Sequence, residues 1–184
     1  IFAGMTNGFY FATMPGIAEG PGGWDPADFA NLNAVGALVS GVAGLLVFGF
    51  VVSRLGTRAS GIVGFGLIIL FGLVVIALKP VWAVPAIISG VVIYSFVIDE
   101  LWRIAYYSTA MRLSDMRVAA TQFSLYMALM NFGATIAGYL VGPVEAIGGV
   151  NALLFAISLS GLIAAVAFGL IRNDDRAKYV PDAL

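Results

Sequence analysis

Six long apolar segments dominate the sequence and restrict what the chain can fold into. A bilayer core of about 30 Å requires about 20 mostly apolar residues per helix. Segments of this kind cover residues 1–17, 29–52, 59–78, 83–111, 119–141 and 151–171. They are continuously apolar and rich in Gly and Ala, whereas strands of a membrane barrel alternate in polarity. The sequence therefore predicts an all-α integral membrane protein, with six transmembrane helices in residues 1–171 and a polar cytoplasmic tail at 172–184.

The composition excludes several classes of function. The chain is 61% hydrophobic and 10% charged, whereas soluble proteins average about 45–50% apolar and about 25% charged residues. A net charge of −1 argues against nucleic-acid binding. The absence of Cys and His removes thiolate nucleophiles, the most frequent metal ligand and the most frequent general base. We therefore expect no enzymatic activity, no metal and no cofactor.

The basic residues predict how the chain is oriented in the membrane. Cytoplasmic loops carry an excess of Lys and Arg. If residues 53–58, 112–118 and 172–184 face the cytoplasm, only Lys79 lies on the other side. The cytoplasmic set is then Arg54, Arg58, Arg112, Arg117, Arg172, Arg176 and Lys178. We expect a multi-pass protein of the bacterial inner membrane with both ends of this segment cytoplasmic. Because the first segment starts apolar, without a basic region or an initiator Met, we expect the native chain to begin upstream.

Three ionisable residues interrupt the fourth apolar segment near its middle: Asp99, Glu100 and Arg103. A charge at this depth costs about 2.5–3.5 kcal/mol on insertion scales, so the three must face protein or water. The i,i+4 and i,i+3 spacings let both acids reach the guanidinium. Since one Arg cannot neutralise two carboxylates, the surplus acid is a candidate for proton uptake. The cluster is thus either a coupling or substrate-binding site, or a structural clamp to a neighbouring helix.

Two other segments carry polar residues at membrane depth. Asn7 and Tyr10 interrupt the first segment, while Gln122, Asn131 and Thr135 lie in the fifth. Such residues are candidates for the lining of a solute path. In the fifth segment a stripe of small and polar residues lies on one helical face, which fits either helix packing or the wall of a water-filled path. The stripe consists of Ser124, Ala128, Asn131, Thr135, Gly138 and Gly142.

The loop after the second segment resembles a known signature. Residues 49–58 read Gly-Phe-Val-Val-Ser-Arg-Leu-Gly-Thr-Arg, which is similar to the cytoplasmic loop of the major facilitator superfamily. Gly49, Arg54, Gly56 and Arg58 match that pattern, while Ser53 stands where the family has Asp and Thr57 replaces a basic residue. Such divergence is typical of the C-terminal half of these transporters. The other reading is an ordinary pair of cytoplasmic arginines beside a tight turn.

A second resemblance lies in the fifth segment. Residues 120–125, Ala-Thr-Gln-Phe-Ser-Leu, together with Asn131-Phe132-Gly133, look like the branch that contains muropeptide permeases and acetyl-coenzyme A transporters. The resemblance implies alternating access, in which two six-helix bundles rock about a solute site at the membrane midplane. The implied partners are the lipid bilayer, a small-molecule substrate, and the N-terminal half of the same protein or a second copy, with no nucleic acid.

A second functional class is also compatible with the sequence. The same fold can serve as a non-transporting subunit or assembly factor of a larger membrane complex. In that case the charged cluster would clamp helices together or face another subunit. A gene of about 400 codons, the length of two six-helix halves, would favour the transporter, and one near 200 codons the subunit or a homodimeric half-transporter. An intramembrane acid dyad is disfavoured, because adjacent residues on a helix point about 100° apart.

Overall fold

A computed structural model describes residues 1–115 and 117–171, whose regular secondary structure is entirely helical. We number the five helices α1 (Phe2–Glu19), α2 (Pro26–Leu55), α3 (Thr57–Ala77), α4 (Pro85–Leu113) and α5 (Ala119–Leu170). A short 3₁₀ turn, Lys79–Val81, lies between α3 and α4. The all-α prediction is confirmed for these residues. The predicted tail at 172–184 lies outside the described residues.

Four of the helices have the dimensions of membrane spans. Within the described part of the chain, α2, α3, α4 and α5 are each long and apolar enough to cross a bilayer. The shorter α1 carries Thr6, Asn7 and Tyr10 among its apolar residues and is not one of these four. Several long apolar helices in succession are the mark of a multi-pass membrane protein.

The prediction of six separate helices is wrong, because the described residues form five. The chain does not stop being helical at the predicted break, residues 143–150, and α5 runs through Pro143. Its backbone leaves helical geometry only at Gly148 (φ −153°, ψ 19°) and Gly149 (φ 61°, ψ −152°). The positive φ of Gly149 is a conformation that glycine adopts without steric cost.

This interruption folds α5 back on itself. A Cβ atom on Gly4 of α1 would overlap the carbonyl oxygen of Met130. Two residues further along α1, the Thr6 hydroxyl lies 2.9 Å from the Ser160 hydroxyl. In a straight helix Met130 and Ser160 would be about 45 Å apart, at 1.5 Å per residue. We call the two limbs the first arm (119–147) and the second arm (150–170).

Glycines set the spacing between the remaining helices. Along α2, Gly36 packs against Phe96 and Gly44 against the Glu100 side chain, so this face lies on α4. On α3, Gly64 meets the backbone of Trp102, while Gly61 meets Phe168 of the second arm. Small residues at such contacts let helix backbones approach closely, which is how helices associate where lipid replaces water.

Local signals fix the helix ends. The Asp25 carboxylate accepts a hydrogen bond from the Ala27 amide at 2.8 Å, and Pro26 is the first residue of α2. The acceptor side chain of Asp25 satisfies a free amide of the first turn, and proline has no amide hydrogen to lose at this position.

The four residues of the loop signature lie around the turn between α2 and α3. Gly49 opens the last helical segment of α2, and the Arg54 guanidinium lies 4.6 Å from the centre of the Phe50 ring. Gly56 makes the turn with φ 82° and ψ 155°. Arg58 donates a hydrogen bond to the carbonyl oxygen of Gly169. The turn between α2 and α3 is therefore held next to the C-terminal end of α5 by a hydrogen bond.

Candidate functional site

The charged cluster lies at the centre of α4. Asp99 is 14 residues from both Pro85 and Leu113, which corresponds to about 21 Å of helical rise in each direction. Asp99 is therefore the middle residue of α4. Any membrane that α4 crosses therefore has Asp99 near its midplane.

Arg103 contacts both acids, as the spacing predicts. The guanidinium donates a hydrogen bond to Asp99 Oδ2 and lies 3.7 Å from Glu100 Oε2. Asp99 is thus hydrogen-bonded, while Glu100 is held only through charge, since 3.7 Å exceeds hydrogen-bond distance. The side chains of Arg103, Asp99 and Glu100 are 34%, 21% and 23% exposed. The cluster is therefore partly accessible from outside the bundle.

Helix α1 meets the cluster through its polar face. The side-chain amide of Asn7 donates a hydrogen bond of 3.2 Å to Asp99 Oδ1. One turn further along, the hydroxyl groups of Tyr10 and Ser95 are hydrogen-bonded to each other. The two residues predicted to line a path in the first segment therefore both contact α4 beside Asp99.

A small cavity lies between α1, α3, α4 and the second arm of α5. Its volume is about 30 Å³, enough for one or two water molecules. Four of its lining residues are apolar, Ile68, Phe71, Ile98 and Ile157, and five carry a polar group, Thr6, Asn7, Tyr10, Ser95 and Asp99. The wall of this cavity is mostly apolar, and a water molecule bound there would need polar partners such as the Asp99 carboxylate.

A larger cavity lies on the other side of Asn7, between α1, α4 and the first arm of α5. Its volume is about 220 Å³. It is lined by Gly4, Asn7, Trp102, Arg103, Tyr107, Met130, Asn131 and Ala134. Asn7 is the residue that lines both cavities, so its hydrogen bond to Asp99 lies at their boundary.

Glu100 lies apart from these two cavities. Its carboxylate would be 3.0 Å from a Cβ atom built on Gly44 of α2. Gly44 is the first residue of a π-helical turn, Gly44–Phe48, within α2. Irregular turns of this kind are frequent at functional sites. The two acids therefore point to different neighbours, Asp99 to α1 and Glu100 to α2.

Three predicted path residues of the fifth segment occupy different environments. Asn131 lines the larger cavity. Gln122 lies in the first turn of α5, where its side-chain oxygen accepts a 2.6 Å hydrogen bond from the Asp115 amide and so orders the preceding loop. Thr135 is exposed and donates to the carbonyl oxygen of Asn131. Neither Gln122 nor Thr135 lines the two cavities.

The small and polar stripe of the first arm faces outward. Its six members are all exposed, whereas Gly133 and Ala137 on the opposite face are buried against α1. The alternative that this stripe packs against a helix of the described chain therefore does not hold. The exposed residues are Ser124, Ala128, Asn131, Thr135, Gly138 and Gly142.

Trp102 is a further site residue, which was not predicted from the sequence. Trp102 is 1% exposed, lines the larger cavity, and its indole N–H has no hydrogen-bond partner among the described residues. The available signal was its position, three residues after Asp99 and directly before Arg103, which places it on the same side of α4 as Asp99.

Comparisons of the chain with protein-family models, with curated proteins and with solved structures find no match.

Proposed function

We propose that the chain is the C-terminal, six-crossing half of a secondary transporter of the major facilitator type. It moves a small solute across the bacterial inner membrane by alternating access, coupled to protons. Its partner is an N-terminal six-helix half of the same protein or a second copy of this chain. The observation that carries the proposal is the mid-helix cluster of Asp99, Glu100 and Arg103, attached to α1 by Asn7 and bordered by two cavities.

Six crossings follow if both arms of α5 traverse the bilayer. The first arm comprises residues 119–147 and the second 150–170, and each is close to or above the length of about 20 residues that a crossing requires. The sixth crossing is α1, whose 18 residues include the polar face at Asn7 and Tyr10. A helix that lines a solute path is expected to be less apolar than one that faces lipid.

The partial exposure of the cluster favours a path over a clamp. Ionisable groups in membrane helices face the bundle interior or water, since lipid cannot solvate them. Arg103 is 34% exposed at the centre of α4, so something other than lipid must cover that surface. A second half-transporter with an aqueous cavity between the halves supplies that environment.

The outward stripe on the first arm supports the same arrangement. Asn131 and Thr135 are polar and exposed, a costly situation if they faced lipid tails. Facing a water-filled path or another small-residue helix removes that cost. The stripe therefore belongs to the surface that meets the partner half.

The two acids suit different tasks. Asp99 is hydrogen-bonded by both Arg103 and Asn7. Glu100 is the surplus carboxylate, because its only ionic contact among the described residues is the 3.7 Å approach to Arg103. We assign proton exchange to Glu100 and positioning of Arg103 to Asp99.

Uptake of solutes by the full-length protein in proteoliposomes tests the proposal. An imposed pH gradient should drive uptake of muropeptide-like or other small solutes. Glu100→Gln should abolish the pH-driven component and leave counterflow exchange intact. Asp28→Asn, an exposed acid at the start of α2, is the matched control and should transport normally. Equal transport by wild type and Glu100→Gln would contradict the coupling assignment.

The second candidate is a non-transporting subunit or assembly factor with the same fold. It is favoured by one observation, that the Asn7 amide joins Asp99 of α4 to α1, as a clamp between helices would. In that case no solute moves under any gradient, and the Asp99, Glu100 and Arg103 variants lower stability alone.

A further inference from the structure

The larger cavity has the chemistry of an anion site. Among its eight lining residues, Arg103 is the one that carries a charge at neutral pH. The two acids of the cluster do not line it, since Asp99 lines the smaller cavity and Glu100 packs against Gly44. We propose that this cavity binds the carboxylate group of a small organic acid, which is the second anion paired with Arg103 when Glu100 is protonated, so that the net charge of the cluster does not change. The proposal names the substrate class of the transporter and rests on the proposed function for its role in transport.

Arg103 retains free hydrogen-bond donors. A guanidinium has five N–H groups in a planar fork. One nitrogen is committed to Asp99, and the contact with Glu100 at 3.7 Å is too long for a hydrogen bond. The remaining donors can bind a carboxylate through two parallel hydrogen bonds, the arrangement for which arginine is best suited.

Neutral donors surround the same cavity. The indole N–H of Trp102 is buried and makes no hydrogen bond of ordinary geometry to the described residues, although it is close enough to Asp99 to interact with that carboxylate. Asn7, Asn131 and Tyr107, whose side chains carry amide or hydroxyl groups, also line the cavity. Donors thus converge from α1, α4 and the first arm of α5.

The size of the cavity limits the ligand. Its volume of about 220 Å³ is below the roughly 300–1,000 Å³ of pockets for drug-sized molecules. Met130, Ala134 and Gly4 form its apolar wall. A ligand of the size of acetate to benzoate, with a carboxylate on Arg103 and an apolar body against α5, fits these dimensions. Asn131 both lines the cavity and is exposed at the surface of the bundle.

Equilibrium binding to the full-length protein in nanodiscs tests this site independently of transport. Acetate and benzoate are titrated by calorimetry, with benzamide as the uncharged analogue of benzoate. We expect at least one carboxylate to bind and benzamide to bind roughly tenfold or more weakly, because a hydrogen-bonded charge pair is lost.

Asn131→Asp is the decisive variant, because it places a negative charge in the cavity without changing side-chain size. It should weaken carboxylate binding by roughly tenfold or more. Asn31→Asp, the same substitution on the exposed surface of α2, should bind as wild type does. Arg103→Gln should abolish binding, although it also leaves two acids unpaired, so the Asn131 variant carries the conclusion.

The outcomes separate this proposal from the proposed function. If neither carboxylate binds, if benzamide binds equally well, or if Asn131→Asp leaves the dissociation constant unchanged, the carboxylate site is wrong even where other solutes are transported. If a carboxylate binds in the expected way but no gradient drives uptake of any solute, the site stands and the transporter assignment fails.

Discussion

Asn7 and Asp99 are 92 positions apart in the chain, yet the Asn7 amide donates a 3.2 Å hydrogen bond to the Asp99 carboxylate. This contact joins α1 to the centre of α4 and separates the two cavities of the candidate site. An amide is a suitable partner at this depth, because it satisfies a carboxylate oxygen without adding a charge to the bundle.

Replacing Asn7 by Leu should lower the free energy of unfolding by about 0.6–1.7 kcal/mol, the range measured for hydrogen bonds between membrane helices. The residue is similar in size, so the loss reports the hydrogen bond. Asn31→Leu, on the exposed surface of α2, is the control and should be nearly neutral. Unfolding of the protein in mixed micelles measures both. Equal effects of the two substitutions would contradict the assigned contact.

Removing Arg103 should destabilise the protein more than removing the whole cluster. Arg103→Gln leaves two carboxylates without their counter-charge, at an expected cost of about 1–3 kcal/mol, below that of fully buried pairs because the side chains are partly exposed. Adding Asp99→Asn and Glu100→Gln should restore most of the loss. Thermal unfolding in detergent compares the single and triple variants. A triple variant less stable than Arg103→Gln would show that the acids have separate structural partners.

Gly8 should not tolerate a side chain, since α1 and the first arm are in close contact there. A Cβ atom on Gly8 would lie 2.6 Å from the Ala134 carbonyl oxygen and 2.8 Å from Ala137 Cβ. Gly8→Ala is therefore expected to cost about 1–3 kcal/mol through overpacking. Gly16→Ala on the same helix meets no atom within 4 Å and should be neutral or slightly stabilising. Thermal unfolding of the two variants measures the difference, and equal stability of both would contradict the close contact at Gly8.

Gly56 should be required by its backbone conformation. With φ 82° and ψ 155°, it lies in a region that is essentially restricted to glycine, where another residue costs about 1–3 kcal/mol. Gly56→Ala should lower the thermal stability accordingly. Gly66→Ala, in α3 with nothing within 4 Å of the added atom, is the control. If both variants unfold at the wild-type temperature, the turn does not have this conformation in the membrane.

The absence of Cys makes single-cysteine labelling a direct test of the crossings. Ser53→Cys should react with a membrane-impermeant maleimide only from the cytoplasmic side. Ala83→Cys and Ala146→Cys should react only from the opposite side, because Ala146 lies at the bend of α5. The extent of labelling is compared between right-side-out and inverted vesicles. Reaction of Ala146→Cys from the cytoplasmic side would exclude two crossings by α5.

Much of the helical architecture is predictable because the signals are local. Apolar segment length, the Asp25-Pro26 start and the Gly56 turn locate the ends of α2 and α3 within a few residues. The i,i+3 and i,i+4 spacings predict the Arg103 pairs, since the three side chains share one helix. Each of these features depends on residues that are neighbours in the chain.

The features that the sequence did not predict depend on distant contacts or on competing local signals. The predicted break, residues 143–150, contains the actual bend at the Gly148-Gly149 pair, but α5 stays helical through Pro143. Neighbouring groups can compensate for a proline within a membrane helix. The Asn7–Asp99 hydrogen bond and the Trp102 cavity wall arise only when α1, α4 and α5 pack together, and no spacing in the sequence indicates them.

The π-helical turn Gly44–Phe48 changes the angular phase of α2. In a regular α-helix, the eight steps from Gly44 to Val52 would rotate the side chain by 800°, leaving the two residues about 80° apart. The wider π-helical turn holds one extra residue, so the rotation from Gly44 to Val52 is only about 700°. The two side chains then point in directions about 20° apart. The same helix can therefore present Gly44 to Glu100 and Val52 to Leu101 and Ala105. The turn therefore keeps Gly44 and Val52 on the same face of α2, and deleting one residue from it would turn Val52 away from α4.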